Sequence, residues 1–510
     1  MTYTVLRILT YVLGITGSSL LLPVAVAAIE GERHMLAPFL IPMAIAWGLA
    51  AIFWLKVREK PKVIGIQDAF SVVGILWIAI CFFGAIPLHF SGAFPTFTDA
   101  MFESVSGFTT TGATVLADVE SLPRSVNVWR CETHWLGGMG VVALAVAMIP
   151  LLGAGGFRLI KAETSGPDKT KLTSSVATTA KLLWFFYIGM TIAATFLLCR
   201  CGMDYADALC HAFSSMGTGG FSSRNGSVGS FGLPSAEWTC ILFMLLASVN
   251  FMLYCRLLTG RFSEAFRNSE VRAFLIIAIA SPLALFCIEP TDTSGSGEAF
   301  RDAFFQAAAM LTSTGFMTED YTSYLPASQI VIIAICLAGG CSGSTASGIK
   351  IIRWTVLAKQ FVNEMHRLIH PYGVFSLRIN GAPVRDGVVS TVSAFIFAYI
   401  ALIMISAMAG AAAGLDPVTA ISGALSMVGN VGPAFGELGP TSNYGFIPAP
   451  LKWWYMIAML AGRLEIYTLL LLFGNIVRKR PSRHTQAPRP EDTPTRGYRM
   501  HLSQRTSESA

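Results

Sequence analysis

Charge is scarce in this chain. Asp, Glu, Lys and Arg make up only 13% of its 510 residues, where a soluble domain carries ~25%. An ordinary water-soluble fold is thereby excluded. Metal and redox patterns are missing too. Ten cysteines are scattered, mostly through apolar runs; Cys199 and Cys201 are the closest pair, and no CxxC occurs. Free thiols in an apolar interior are expected, not a disulfide framework or a zinc site. Glu103, Glu132, His134 and His211 lack metal-ligand spacing and are expected to be polar residues of an outer vestibule. No convergent His, Asp and Ser groups fall on neighbouring spans, so an enzyme is not expected.

Apolar residues are what the chain has in excess, at 53% with a mean hydropathy of +0.59. Runs approaching the ~20 residues needed to cross a bilayer recur. They lie near 5–28, 35–55, 68–90, 135–155, 182–199, 238–258, 273–288, 327–350, 391–413 and 453–477, ten in all. Lys and Arg orient them. The stretches 56–62, 158–181, 256–272, 350–385 and 478–510 hold 27 of the 36 basic residues, and Arg7 joins them. Seven others fall on the opposite side or its rim, and Arg463 lies inside a span. The 28-to-7 split makes the first set and both termini cytoplasmic. Membrane topology thus accounts for the net charge of +6 without a nucleic-acid partner. "LPVAVAAIE" has the small residues of a signal cleavage site, but the apolar run before it exceeds the usual ~7–15 residues. A retained first helix also keeps the span count even. Residues 481–510 are polar, with Pro and Arg, and read as a disordered cytoplasmic tail.

One unit occurs four times. "DAMFESVSGFTTTGA", "DALCHAFSSMGTGGF", "DAFFQAAAMLTSTGF" and "TAISGALSMVGNVGP" each start with Asp-Ala or Thr-Ala and reach a glycine thirteen residues on. Those glycines are Gly112, Gly220, Gly315 and Gly432, and each unit lies between two spanning runs. The leading Asp or Thr is expected as an N-cap. About ten residues then make a helix of ~15 Å, half a bilayer. Such a helix must enter, stop and return, leaving irregular backbone at membrane depth. That is tolerated only where the backbone is buried in protein or lines a wet cavity. Helix C-terminal ends carry partial negative charge and favour a cation on a shared axis. The carbonyls before each glycine are the natural donors to it: Thr110 and Thr111, Thr218 and Gly219, Ser313 and Thr314, Asn430 and Val431. Small polar residues merely ending a buried helix would explain one copy, but not four with identical spacing.

Two features interrupt spans. "LAGGCSGSTASGIK", 337–350, has a glycine density that breaks a helix. It reads either as an intramembrane loop obstructing a pore or as a helix end followed by a cytoplasmic loop from Lys350. Its spacing does not fit a phosphate-binding GxxxxGK[ST]. Arg463 lies about eleven residues into the last run, and such an arginine faces a partner or a wet cavity. A purely structural role, bonded to carbonyls of a neighbouring helix, is the other reading. Glu465, two residues on, does not share its helical face.

"GFTTTGATV", "SSMGTGGFS", "LTSTGF", "VGNVGPAFG", "AGGCSGSTASGIK" and "GRLEIYTLLLLF", in this order, resemble the Trk-type potassium uptake membrane subunits of bacteria, within the Trk/Ktr/HKT superfamily. "KAETSGPDKTKLTSSVATTAKLLW" is similar to a cytoplasmic loop of the Trk branch. The resemblance runs to about residue 480. It implies an all-α polytopic membrane protein with four pseudo-symmetric helix–pore-loop–helix repeats around one pore. An N-terminal helix pair at 1–62 precedes them, and the repeats fall at 63–165, 166–265, 266–375 and 376–480. The resemblance implies potassium uptake across a bacterial inner membrane, with K+ as the transported ion and no organic cofactor. It also implies a homodimer, and a cytoplasmic ring of Rossmann-like nucleotide-binding domains, responsive to NAD or ATP, as regulatory partner. The eight carbonyl donors match the family's filter. Gly339, Gly340, Gly343, Ser344, Thr345, Gly348, Lys350 and Arg463 match its gate. Ser347 departs from the more usual glycine and is expected to stiffen the gate slightly. A proton- or sodium-coupled potassium symporter stays open as an alternative.

Overall fold

The computed structural model describes residues 3–56, 66–152, 176–258, 260, 267–289, 296–373, 375–384 and 387–470. The expected tail 481–510, residues 57–62 and 158–175 of the basic stretches, and the end of the last run lie outside them.

An N-terminal hairpin comes first: α1 (Tyr3–Ser19), α2 (Leu21–Ile29) and α3 (Leu36–Lys56). The first two form one apolar span, Val5–Ile29. Small residues let the spans pack closely, since a Cβ on Gly17 would lie 2.8 Å from that of Ala46. Four units follow, each a long helix, a short helix, a return and a further helix. The first contains α4 (Ile66–Phe90), α5 (Phe97–Phe108) and α6 (Arg124–Leu152). The second contains α7 (Val176–Arg200), α8 (Tyr205–Gly217), α9 (Pro234–Ala247) and α10 (Phe251–Leu258). The third contains α11 (Ser269–Ile288), α12 (Ser296–Leu311), α13 (Pro326–Ala338) and α14 (Ile351–Ile369). The fourth contains α15 (Val388–Ala412), α16 (Pro417–Gly429) and α17 (Ala449–Arg463). Between α14 and α15 a hairpin pairs Arg378–Ile379 with Ala382–Pro383. It is the one departure from an all-helical fold among the described residues.

Among the described residues, six helices are long and apolar enough to span a membrane, where ten runs had been expected. The other four runs are broken helices. Run 135–155 kinks at Gly140 (φ 22°) within α6. Run 238–258 breaks between α9 and α10, run 327–350 after α13, and run 453–477 at Leu464 and Glu465, the latter with φ 55°. The last helix of every unit is therefore interrupted, where only the third break had been expected.

The short helices have 12, 13, 16 and 13 described residues, ~18–24 Å and longer than expected. Their caps also differ from expectation. The N-caps are Thr96, Asp204 and Asp416, so Asp99, Asp207 and Thr419 sit three residues inside; Asp302 lies within α12. The Thr96 hydroxyl oxygen accepts from Asp99 N at 3.1 Å and donates to Asp99 Oδ2 at 2.7 Å, while Asp99 Oδ1 pairs with Lys452 at 2.7 Å.

Apolar clusters fill much of the interior, but many polar side chains are buried with them and large apolar ones face outward, unlike a soluble domain. Ser104, Thr109, Ser214, Thr312 and Asn430 are fully buried, whereas Phe185, Ile192 and Phe196 on α7 and Ile276 on α11 are exposed. Arg124 bonds Glu30 at 3.1 Å and Asp204 at 2.7 Å. These pairs bring three loops to one end of the molecule, all assigned by charge to the non-cytoplasmic side. Six of the cysteines are buried free thiols, while Cys199 and Cys287 are exposed and Cys201 is half-buried.

The buried Asp99–Lys452 pair joins the first unit to the fourth, whereas the Arg124 pairs are solvent-facing. Lys452→Met leaves a buried carboxylate without its partner and should cost about 3 kcal/mol or more. Arg124→Met should cost under about 1 kcal/mol. Thermal unfolding of the purified protein in detergent measures both.

Candidate functional site

The four returns share one backbone conformation. Each short helix ends, and a non-glycine residue turns left-handed: Thr110 (φ 53°), Thr218 (53°), Ser313 (54°) and Asn430 (53°). Two residues later the chain reaches Gly112 (φ 78°), Gly220 (86°), Gly315 (73°) or Gly432 (99°). The residue between donates its N–H five residues back into the helix. These bonds are Thr111 to Ser106 O at 2.8 Å, Gly219 to Ser214 O at 2.9 Å, Thr314 to Ala309 O at 2.8 Å and Val431 to Ser426 O at 3.0 Å. This Schellman closure satisfies the helix end and turns the following carbonyls out of it. Among the described residues, no donor meets the carbonyls of the eight residues from Thr110 to Val431 named above.

The returns close on one another. A Cβ built on Gly112 would lie 2.0 Å from Gly219 O, and one on Gly220 would lie 2.0 Å from Thr314 O. One on Gly315 would lie 1.9 Å from Val431 O, and one on Gly432 would lie 2.5 Å from Thr111 O. Each glycine thus abuts the preceding carbonyl of the next unit, and the fourth contact returns to the first unit. All four glycines line one cavity of about 120 Å³. Side chains brace the ring from behind. Thr109 and Thr111 hydroxyls are 2.8 Å apart, Thr312 and Thr314 hydroxyls are 2.7 Å apart, and Asn430 Nδ2 donates to Thr111 Oγ1 at 2.9 Å. The arrangement offers carbonyl oxygens and helix C-terminal ends to a cation, with no formal charge in the ring.

Glu103, Glu132, His134 and His211 are not vestibule residues; all are at most 3% exposed. Glu103 accepts from Thr114 Oγ1 at 2.9 Å and Val115 N at 3.1 Å, just beyond Gly112, and pairs with Arg130 at 2.7 Å. His211 Nε2 is 2.9 Å from Ser222 Oγ. Their polarity suggested contact with water, but the fold buries them: Glu103 and His211 find partners within their own units, and His134 bridges Gly107 O and Phe221 N of two units.

The glycine-rich run is an extended loop between α13 and α14, with left-handed Gly339, Gly343, Gly348 and Lys350. It lies against the third return, where Ser347 N donates to Ser313 Oγ at 2.7 Å. It also fills the break between α9 and α10. Cys341 N donates to Ser248 O at 3.0 Å, Thr345 N to Ala247 O at 3.2 Å, and Phe251 N to Gly343 O at 3.1 Å. Gly340 O accepts from Ile351 N, and Ser344 Oγ bonds Cys341 O at 2.6 Å. Lys350 Nζ turns back to Ala346 O.

Arg463 joins the remaining breaks. Its Nη1 donates to Thr345 O at 2.8 Å and Ser347 Oγ at 3.0 Å. Its Nη2 donates to Gly137 O at 2.6 Å and Gly138 O at 3.0 Å, beside the Gly140 kink. One guanidinium thus spans the loop and the first unit. Ser347 supplies one of these acceptors. Glu465 faces elsewhere and pairs with Arg353 at 2.8 Å.

Comparison with known proteins follows the same outline. The family profile TrkH, described as cation transport protein, matches residues 37–480. The Trk system potassium uptake protein TrkH of Halomonas elongata is 35% identical over 474 residues, covering 92% of this chain and 98% of its own. The protein of the same name from Escherichia coli K12 is 35% identical over 437 residues, covering 84% and 89%. The crystal structure of the potassium transporter TrkH from Vibrio parahaemolyticus aligns with a TM-score of 0.82 at 31% identity, over 92% of this chain and 98% of that one.

Arg463 supplies two hydrogen bonds to the loop and two that tie it to α6. In Arg463→Leu, amide hydrogen exchange across 339–348 should speed up by ~tenfold or more, while exchange in α15 stays unchanged. Mass spectrometry of peptides from the two regions measures this.

Proposed function

Because the chain belongs to the TrkH family of cation transport proteins, we propose that it takes up potassium through a selective, channel-like pore in a bacterial inner membrane. It is a multi-pass transport protein, not an enzyme. The closed ring of four equivalent returns carries the reading. Carbonyls of Thr110, Thr111, Thr218, Gly219, Ser313, Thr314, Asn430 and Val431 replace the hydration shell of K+. Four helix C-terminal ends, each worth roughly half a negative charge, hold the ion without a carboxylate that would bind it too tightly. The units at 63–165, 166–265, 266–375 and 376–480 each supply one wall.

The loop from Gly339 to Lys350 and Arg463 are the barrier on the cytoplasmic side of this filter. The loop obstructs by occupying the path, and Arg463 adds a cation whose repulsion is stronger in a low-dielectric surrounding than in water. Releasing Arg463 from Thr345 and Ser347 frees the loop. The family resemblance extends the reading to a homodimer and to a cytoplasmic ring of nucleotide-binding domains that moves the loop. Potassium flux in liposomes tests the whole. Reversal potentials should follow the potassium gradient and ignore imposed pH and sodium gradients; potentials that shift with either gradient would favour ion-coupled symport.

Gly112→Ser places a Cβ against Gly219 O and forces a side chain into a left-handed conformation. Potassium-over-sodium discrimination should fall by about tenfold. Competition of sodium with potassium flux reads this, and unchanged discrimination in folded protein contradicts the filter assignment.

Arg463→Gln removes the charge and should raise basal flux without altering selectivity, which the ring sets. Arg463→Lys keeps the charge but loses the fork of donors, so it should fall between Gln and the parent. Flux at or below the parent level in Arg463→Gln rules out the barrier role.

A further inference from the structure

The second return differs from the others at one position. Thr111, Thr314 and Val431, which precede the ring glycines, bury their own side chains behind the ring. The corresponding residue of the second unit is Gly219. Its φ lies outside the left-handed region, so the backbone does not require glycine. The space does. A Cβ on Gly219 would lie 2.3 Å from Cγ and 2.4 Å from Nδ1 of His134. His134 belongs to α6 of the first unit, and its imidazole stands where the second unit lacks a side chain.

The ring is fully bonded there. Nδ1 is 2.8 Å from Gly107 O, at the C-terminal end of α5. Nε2 accepts from Phe221 N at 3.1 Å, one residue beyond Gly220. A single neutral tautomer satisfies both contacts, with the proton on Nδ1. The imidazole also stacks on Phe221, with ring centroids 4.1 Å apart. Its residue is fully buried. It therefore fixes three things at once: the end of the first short helix, the plane of Gly219, and the peptide after Gly220.

From this geometry we infer that His134 is a positioning residue for ion selectivity, acting as the missing side chain of the second return. It touches no ion. It holds the carbonyl of Gly219, which in turn abuts Gly112 of the first unit. The inference rests on the filter reading above and adds a selectivity determinant supplied by one unit to its neighbour. His134 and Gly219 are a complementary pair, since each occupies space the other gives up.

The test uses the full chain in liposomes, with potassium-over-sodium discrimination read from reversal potentials. His134→Leu loses both bonds and should lose discrimination by ~tenfold. His134→Gln places an amide near the Nε2 position, keeps an acceptor for Phe221 N–H, and should stay within ~threefold of the parent. His134→Asn reaches only the Nδ1 position and should behave like Leu. Gly219→Ala should lose discrimination through the clash. Combining it with His134→Ala should recover at least ~threefold over Gly219→Ala alone, because the space is exchanged. Parent-like discrimination in His134→Leu overturns the inference, as does equal behaviour of Gln and Asn or a double variant worse than Gly219→Ala. If His134→Leu does not fold, the Gln–Asn comparison and the double variant decide. Gly112→Ser measured in parallel separates the two levels. If it too keeps full discrimination, the filter reading fails. If it loses discrimination while His134→Leu keeps it, only the role of His134 fails.

Discussion

A backbone carbonyl at membrane depth must find a donor or a cation, because lipid offers neither. This constraint organises the molecule. Four short helices stop inside it and four spanning helices break inside it, so many carbonyls lack helical partners. Two groups of solutions result. In the ring, the carbonyls stay unbonded to protein and meet neighbouring glycines across the unit boundaries. At the breaks of the first three units, carbonyls are taken by residues of another unit. The third unit's loop takes the carbonyls of Ala247 and Ser248, and Arg463 of the fourth unit takes those of Gly137, Gly138 and Thr345. The first group is left open for an ion; the second is closed by protein. The proposed filter and barrier thus rest on one backbone need met in two ways.

The closed network explains why a single arginine is tolerable there. A buried guanidinium is expensive unless its donors are satisfied. Here carbonyls released by the broken helices, with Ser347 Oγ, surround it in a fork geometry that a lysine does not match. The barrier reading and the structural reading of Arg463 are therefore one arrangement. The same bonds that make its burial affordable hold the loop in place, and moving the loop removes two of them.

Much of the ring was legible in the sequence because its signal is local. Gly112, Gly220, Gly315 and Gly432 each require a left-handed backbone, and each follows its helix at fixed spacing. The dense glycines at 339–348 marked one broken span for the same reason. The breaks at Gly140, at Ser248–Asn250 and at Glu465 were missed because nothing local demands them. At the first two, the carbonyls are satisfied by residues roughly a hundred to several hundred positions away, and such partners leave no trace in a hydropathy pattern. The N-caps were misplaced by three residues for a related reason. Asp99 looks like a cap, but Thr96 caps α5 and Asp99 is held by Lys452, far along the chain.

Side-chain variety among the returns fits the proposed filter of backbone carbonyls. Thr111 and Thr314 are steadied by hydroxyls two residues back, Val431 packs as an apolar side chain beside Asn430, and Gly219 borrows an imidazole from the first unit. Three kinds of brace hold four backbones with nearly the same left-handed angles. The outcome common to them is the carbonyl position, and only the route to it varies. A filter made of side chains would need matching residues in each unit. One made of backbone needs only that each unit be held, and the holding is free to diverge. That freedom is why the fourth copy, with neither Thr nor Ser before its glycine, takes its place in the ring on equal terms.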